Sequence, residues 1–146
     1  MRRSSGAEDN FSFIAYMHNL NDGNYGRVYD INACTLGELA AGMKGIFSTA
    51  RLLIYGKQDK AVRRVASFCG AGADEESVLF AKKNGADVIV SSDFKHHVIT
   101  SAMEMGLSVI ALTHYASENY GFKNYYEKIR QRVNVPCVFH TDEEWL

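Results

Sequence analysis

The sequence predicts an α/β fold, in which a layered, largely parallel sheet is flanked by helices and built from repeated strand-helix units. From Arg51 onward, short apolar segments alternate with amphipathic segments that are long enough to form helices. The segments DVIVSS and SVIAL are apolar throughout rather than at every second residue, as is typical of parallel strands covered on both faces. Strands and helices that alternate in this way are characteristic of βαβ units.

Before Arg51, the sequence predicts a strand, a loop and a helix. The segment FSFIAYM predicts the strand, and HNLNDGNYGR predicts the loop because Asn, Asp and Gly favour turns. The segment TLGELAAGMKGIF predicts the helix, since Thr35 and Glu38 have the spacing of a capping box.

After Arg51, the predicted elements alternate regularly. The predicted helices are DEESVLFAKKNG, HHVITSAMEMG and ENYGFKNYYEKIRQRV, and the first two end at glycine, a frequent residue just beyond a helix. The predicted strands are RLLIYG, VRRVASFCG, ADVIVSS, LSVIALT and a last short strand, PCVFHT.

Length and composition exclude several classes of protein. A chain of 146 residues with 47% hydrophobic and 23% charged residues is expected to form one globular domain. A net charge of -1 without a basic cluster argues against nucleic-acid binding. No apolar segment approaches the roughly 18 residues of a membrane span, and MRRSSGAEDN lacks the apolar core of a signal peptide. We therefore expect a soluble, cytoplasmic protein that does not bind membranes.

The three cysteines, Cys34, Cys69 and Cys137, are odd in number and widely spaced. This pattern argues against a disulfide framework and against a structural zinc site. We expect buried or half-buried thiols, which is the usual state of free cysteine.

Reactive side chains are concentrated in three segments that follow predicted strands, FCGAGADE, VSSDFKHH and LTHYASE. In open parallel sheets, ligands bind at the carboxyl ends of the strands, so these segments are expected to converge. The glycines of the first segment fit either an anion site at a helix N-terminus or a tight turn that packs a helix close to a strand. The third glycine of a dinucleotide-binding fingerprint is absent near Glu75, although Asp93 lies at a suitable distance for a ribose contact.

The second segment contains Asp93, Lys95, His96 and His97. These residues can supply metal ligands, acid-base groups or phosphate contacts, because imidazole titrates near neutrality and lysine carries a point charge. The alternative is a solvated helix start with Asp93 as its N-cap.

The third segment places His114 at a strand end and Glu118 in the first turn of the next helix. These nitrogen and oxygen donors suit Zn, Fe or Mn. Alternatively, His114 is a hydrogen-bonded core residue and Glu118 complements the helix dipole. Two ligands do not complete a site, since a catalytic zinc usually has three protein ligands.

The order of these three segments resembles the C-terminal part of the NIF-three-like family, the dinuclear-metal α/β proteins also called GTP cyclohydrolase I type-two homologues. The resemblance runs from VASFCGAGADEES through SSDFKHH to LTHYASE. The upstream segment GRVYDINACTLGELAAGMKGIF is similar to the linker and helix that precede this part, so the resemblance covers residues 26–140. It implies a C-terminal α/β domain at 26–146, preceded by a poorly ordered or partial N-terminal segment at 1–25.

The family pattern of a glycine-rich loop, an acid with a histidine, and a histidine followed by Ser-Glu is matched in this order. The resemblance implies that His114 and Glu118 are metal ligands, and that His97 and Lys95 lie beside the metal as candidates for proton transfer or substrate contact. The matching residues are Gly70, Gly72, Asp93, His97, His114, Ser117 and Glu118.

The sequence departs from the family in its first half. The paired histidines that supply other metal ligands are missing, and the glycine before the acid is replaced by Ser92. The segment FIAYMHNLND resembles the remaining ligand motif, which makes Asp22 a candidate third ligand, although Leu20 stands where asparagine is usual.

The resemblance implies a divalent-metal domain, Zn, Fe or Mn, of a metal-dependent hydrolase that acts on a nucleotide-like or phosphorylated small molecule. It also implies self-association into a homo-oligomer, with the hexamer as the family assembly. The alternative function is a non-catalytic assembly or partner-binding module with an incomplete metal site.

Overall fold

The fold is seen in a computed structural model that describes residues 14–19, 26–68 and 70–146. In chain order its elements are β1 (Ile14–Asn19), β2 (Gly26–Thr35), α1 (Leu36–Ile46), β3 (Leu52–Tyr55), β4 (Ala61–Phe68), α2 (Glu75–Lys83), β5 (Val88–Ser92), α3 (His96–Glu104), β6 (Ser108–Leu112) and α4 (His114–Arg130), followed by a 3-10 helix at Glu143–Trp145.

The strands form one mixed sheet in the order β1-β2-β4-β5-β6-β3. The central pairs β4-β5 and β5-β6 are parallel, and they are the pairs whose strands are joined by α2 and α3. The outer pairs are antiparallel. The predicted α/β fold with repeated strand-helix units is confirmed, and its parallel part lies in the centre of the sheet.

Helices cover both faces of the central strands. Val78 of α2 and Val98 of α3 pack with Ile89 on one face. Leu39 of α1 packs with Ile110 on the other face. Since successive residues of a strand point to opposite faces, burial on both faces requires apolar residues at every position. This explains the continuously apolar strands of the sequence.

Side-chain caps from Thr or Asp begin three of the four α-helices in the described residues. Thr35 and Glu38 form the predicted capping box at α1, with Thr35 N–H donating to Glu38 Oε2 at 2.8 Å and Glu38 N–H donating to Thr35 Oγ1 at 3.2 Å. Asp74 caps α2 and Thr113 caps α4. At α3 the N-cap is Lys95, which makes no side-chain cap bond.

The segment GRVYDINACT is a strand of ten residues, β2, so its interpretation as a linker was wrong. Polar residues interrupt its apolar pattern, and its pairing with β4 shifts register between Asp30 and Cys34. Arg64, the register partner of Asp30, binds that carboxylate through Nε at 2.6 Å and Nη2 at 2.9 Å. Strand β2 is therefore stabilised by contacts across the sheet that its own sequence does not reveal.

The predicted last strand, PCVFHT, is also wrong, because residues 136–141 form neither helix nor strand. Val138 is 89% exposed and contributes nothing to the core. The segment lies along α4, where the Tyr126 hydroxyl donates to the Cys137 carbonyl at 3.0 Å and the Asp142 N–H donates to the Tyr115 hydroxyl at 2.6 Å.

Other sequence predictions concern cysteines, membranes and the N-terminal residues. Cys34 and Cys137 are free, half-buried thiols, as predicted, whereas Cys69 lies outside the described residues.

None of the helices in the described ranges is long and apolar enough to cross a membrane. Most of the predicted loop at 18–27 lies outside the description, and so do residues 1–13 of the predicted N-terminal segment.

Candidate metal centre

The three reactive segments converge at one edge of the sheet, as predicted. Strands β4, β5 and β6 are mutually parallel, so their carboxyl ends at Phe68, Ser92 and Leu112 lie side by side. The Ser92 N–H donates to the Gly70 carbonyl at 3.2 Å, which joins the first segment to the second. A hydrogen bond from His114 to Asp93 joins the third segment to the second.

His114 and Glu118 form a pair on the first part of α4. The Thr113 hydroxyl accepts a hydrogen bond from the Ala116 N–H at 3.2 Å and so begins the helix at His114. Residues four apart lie on the same face of a helix, and His114 Nε2 is 2.8 Å from Glu118 Oε1. The helix therefore starts four residues earlier than predicted, and both donors belong to it rather than to a strand end and a first turn.

Asp93 contacts the second ring nitrogen of His114, Nδ1. Its backbone has φ of 51°, in the left-handed region, and its Oδ2 is hydrogen-bonded to His114 Nδ1. The N-cap of α3 is Lys95, so the alternative interpretation of this segment, with Asp93 as the N-cap, was wrong.

The groups around the His114 ring raise its pKa. The pKa of His114 is raised above its ordinary value, mainly by the hydrogen bond to Asp93, and partial desolvation opposes this increase. The negative charges of Glu118 and Asp93 raise the pKa of His114 further. A cation that binds Nε2 therefore competes with protonation of the ring more strongly than it would at an ordinary histidine.

Gly70 lies next to the His114–Glu118 pair. Its φ of 52° lies in the left-handed region, and a Cβ added to it would lie 3.4 Å from His114 Cε1 and 3.5 Å from Glu118 Oε1. A side chain at this position would thus occupy the space beside both donor atoms. Glycine satisfies the backbone conformation and leaves this space open.

Two buried serines, whose role the sequence pattern did not indicate, hold the Gly70 segment. The Gly70 carbonyl accepts hydrogen bonds from Ser91 Oγ at 2.8 Å and Ser92 Oγ at 3.0 Å, in addition to the one from the Ser92 backbone. Both serines are buried. The signal in the sequence is a pair of hydroxyl residues ending an apolar strand, where a core position would normally be apolar.

Ser117, matched to the family by sequence, lies between the helix and these serines. Its hydroxyl donates to the His114 carbonyl at 2.8 Å and lies 3.4 Å from Ser92 Oγ. It therefore links the start of α4 to the end of β5.

His97 and Lys95, the candidates for proton transfer and substrate contact, lie at the start of α3. His97 Nε2 lies 2.8 Å from Glu75 Oε1, at the start of α2. The side chains of His97 and Glu75 are 63% and 60% exposed. The structure thus brings Asp93, His114 and Glu118 together and gives His97 a different carboxylate partner.

The glycine segment after β4 is used in an intramolecular turn. The Gly72 carbonyl accepts a hydrogen bond from Ser77 Oγ at 2.8 Å, and Asp74 Oδ1 accepts one from the Ser77 N–H at 2.9 Å. The helix N-terminus that an anion would use is capped by Asp74. This arrangement fits the interpretation of the glycines as a tight turn.

A complete ligand shell is not visible in the described ranges, where no group of three or more His, Cys, Asp or Glu could hold a metal ion. The His114–Glu118 pair supplies two donors. Asp22, the candidate third ligand, lies outside the described residues.

Comparison with known proteins agrees with this order of segments. The model of the family described as Duf34/NIF3 (NGG1p interacting factor 3) matches residues 8–144. The chain belongs to this family. The family resemblance predicted from the three segments is thereby confirmed.

Curated NIF3 relatives carry the name GTP cyclohydrolase 1 type 2 homolog. The chain is 28% identical to the one from Clostridium perfringens over 122 residues, which cover 82% of this chain and 45% of the relative. It is 36% identical to the Bacillus subtilis relative over 87 residues, which cover 60% of this chain and 23% of the relative.

A solved structure shares the fold. The Bacillus cereus protein related to NIF3 is 30% identical, with a TM-score of 0.64 over 82% of this chain and 34% of that one. The chain thus spans less than half the length of the curated relatives and of this solved protein.

Proposed function

We propose that this chain contributes His114 and Glu118 to a divalent metal centre containing Zn, Fe or Mn. The observation that supports this most directly is the distance of 2.8 Å between His114 Nε2 and Glu118 Oε1. Zinc binds histidine nitrogen and carboxylate oxygen at about 2.0–2.2 Å, so two such ligands at a tetrahedral angle lie about 3.4 Å apart. The two donors would need to separate by about 0.6 Å to share one cation, a small movement for exposed side chains.

The hydrogen bond between Asp93 and His114 Nδ1 supports the same assignment. Metal-ligating histidines almost always donate their other ring N–H to a carboxylate or carbonyl, which fixes the ring and increases its basicity. Glu118 is also accessible to a cation, since its side chain is 61% exposed.

The same geometry also suits a surface ion pair without metal. A protonated His114 between Asp93 and Glu118 would satisfy both carboxylates, and its raised pKa favours that protonated state. The two alternatives differ in a measurable way, because only a metal site binds a cation stoichiometrically.

We propose Asp22, which lies outside the described residues, as a further ligand on the family pattern alone, and the described strand ends on either side of residues 20–25 are compatible with it. Strand β1 ends at Asn19, which pairs with Arg27, and Gly26 pairs with Phe68 at the carboxyl end of β4. Both strand ends next to residues 20–25 therefore lie on the edge of the sheet that carries His114.

The proposed activity is metal-dependent hydrolysis of a nucleotide-like or phosphorylated small molecule, in a cytoplasmic homo-oligomer such as a hexamer. The names of the curated relatives support a nucleotide-like substrate. A bound divalent cation would activate water and neutralise developing negative charge. Lys95 would attract an anionic substrate group, and His97 would accept or donate a proton, with Glu75 holding the ring at Nε2.

A non-catalytic assembly or partner-binding module is the second candidate function. It is favoured by large apolar side chains that are exposed on α4. Tyr120, Phe122 and Tyr125 are 45%, 64% and 58% exposed. Aromatic residues are enriched in the buried centres of protein interfaces.

Metal analysis of the purified protein tests the proposed centre. We expect zinc or manganese to bind weakly, because His114 and Glu118 supply only two donors, and we expect His114→Ala and Glu118→Gln each to weaken binding by a further factor of at least about ten, because each removes a donor. His140→Ala, at an exposed histidine of the C-terminal segment, is the matched control and should bind as the wild type does. Unchanged metal affinity in His114→Ala would overturn the assignment.

Two measurements separate the hydrolase from the assembly module. One is release of phosphate or formate from nucleoside triphosphates with added Mn²⁺ or Zn²⁺, and the other is molecular mass by size-exclusion chromatography with light scattering. Metal-dependent turnover lost in His114→Ala supports the hydrolase. A stable oligomer without turnover supports the module.

A further inference from the structure

A cavity of about 500 Å³ adjoins the proposed metal centre. One part of its wall is formed by Glu118, Gly70 and Ser117, which belong to that centre. The rest is mostly apolar and comes from the sheet, through Phe68, Val90 and Leu112, and from the ring-bearing residues Phe47, Tyr120 and Phe122. Small-molecule sites have this size and this combination of apolar walls with a few polar groups.

Gly121 of α4 also lines this cavity. Glycine inside a helix costs about 1 kcal/mol relative to alanine, so it usually answers a steric need. Here a Cβ at Gly121 would meet no atom within 4 Å. Packing within the described residues therefore does not require glycine, and its missing side chain leaves the cavity open.

Aromatic rings contribute much of the wall. Phe47 and Tyr120 form an edge-to-face pair with ring centroids 5.3 Å apart. Aromatic groups prefer offset-stacked or edge-to-face neighbours, so a flat ring gains more from such a wall than an aliphatic chain of equal area.

We propose that this cavity binds an aromatic ring of the ligand, with the polar end of that ligand at the His114–Glu118 pair. This rests on the proposed metal centre for the polar end only. The ring is held by the sheet, by Phe47 and by α4, which are present without metal.

Titration of the metal-free protein with indole, followed by ¹⁵N–¹H NMR, tests the ring site alone. We expect saturable shifts at the amides of Leu112, Gly121 and Phe122. Gly121→Phe should weaken indole binding at least about tenfold, because its side chain fills the cavity. Gly45→Phe is the matched control, since Gly45 lies in α1, outside the cavity wall, and a Cβ there also meets nothing within 4 Å.

The outcomes of this titration are distinct. Absence of saturable shifts, or equal effects of Gly121→Phe and Gly45→Phe, overturns the ring site. A change of molecular mass in Gly121→Phe without a change in indole binding also overturns it, and assigns the surface to protein association.

A second titration tests whether the ring site and the metal centre act together. Benzohydroxamate and acetohydroxamate share a metal-binding group and differ in the ring, so we expect the first to bind the zinc-loaded protein about tenfold more tightly. Equal affinities would separate the cavity from the centre and overturn the link. If zinc itself does not bind, the proposed centre fails, whereas the indole titration still decides the ring site.

Discussion

At the scale of single residues, the candidate centre depends on positions where the backbone is unusual. Asp93 and Gly70 both have φ near +50°, and both lie next to the His114 ring. A residue other than glycine tolerates such φ values at a cost, and aspartate is among those that do so most readily. The positions of the described chain with left-handed backbone thus include two that build the site.

Gly70→Ala is predicted to weaken zinc binding about tenfold while destabilising the protein by about 1–2 kcal/mol, the cost of a left-handed conformation for alanine. The added methyl group would lie beside both donor atoms and obstruct the coordination sphere. Calorimetric titration with zinc and urea denaturation measure the two effects.

Gly85→Ala is the control for this variant. Gly85 also has positive φ, of 71°, but the nearest atom to its Cβ position is Arg64 Nη1 at 3.9 Å. We expect a similar loss of stability with unchanged zinc affinity. Equal loss of zinc affinity in both variants would show that strain, and not proximity to the donors, causes the effect.

At the scale of elements, the start of each helix positions the reactive segments. Asp74 begins α2 by accepting a hydrogen bond from the Ser77 N–H at 2.9 Å, and the Ser77 hydroxyl, whose single proton is shared with the Gly72 carbonyl, lies 2.8 Å from the same carboxylate oxygen. The pKa of Asp74 is lowered, chiefly by the hydrogen bond from the Ser77 backbone. A lowered pKa in the folded state means that the ionised cap stabilises the protein above the ordinary pKa of aspartate, and that this contribution is lost as the pH falls through the lowered value.

Asp74→Ala should reduce the free energy of unfolding by about 1 kcal/mol at pH 7, the typical effect of removing an N-cap. The difference from the wild type should shrink as the pH falls through the lowered pKa. Urea denaturation at a series of pH values measures it. Asp74→Asn keeps a cap that does not titrate, so its stability should exceed that of Asp74→Ala by an amount that does not change with pH. A pH-independent loss in Asp74→Ala would contradict the role of ionisation.

At the scale of the whole molecule, the central strands carry the core on both faces. Ile110 of β6 is fully buried and packs with α1, two residues before the strand ends next to the candidate centre. Ile110→Ala should destabilise the protein by about 2–5 kcal/mol, as expected for a buried aliphatic side chain. Leu53→Ala, at a side chain that is 60% exposed, should change stability by less than about 0.5 kcal/mol. Thermal or urea unfolding compares the two, and similar losses would contradict the assigned core.

The sequence predicted the features that depend on local pattern. The capping box of α1 and the apolar strands β5 and β6 are encoded by neighbouring residues, and the parallel arrangement follows from their alternation with helices. Strand β2 was missed because its stability comes from partners such as Arg64, 34 positions from Asp30 in the chain. The start of α4 was misplaced because the cap is a single threonine before a histidine.

The candidate centre was predictable in part. His114 and Glu118 were found from their spacing and from the family pattern, because a separation of four residues is a local feature. The contact between Asp93 and His114 joins residues 21 apart and follows only from the parallel pairing of β5 with β6. The same pairing places Ser91 and Ser92 beside Gly70, a contact that no local pattern indicates.

The bond between Asp93 and His114 also makes this imidazole a natural reporter of folding. Helix α3 and strand β6 lie between Asp93 and His114 in the chain, and strand β5 ends just before Asp93. The bond therefore forms only when β5 and β6 are paired and α3 is packed against them. The ¹⁵N resonance of His114 Nδ1 should therefore shift together with the loss of tertiary structure, not with the fraying of α4. The ¹⁵N signal of this one ring nitrogen would therefore report whether the three reactive segments have come together, without any ligand present.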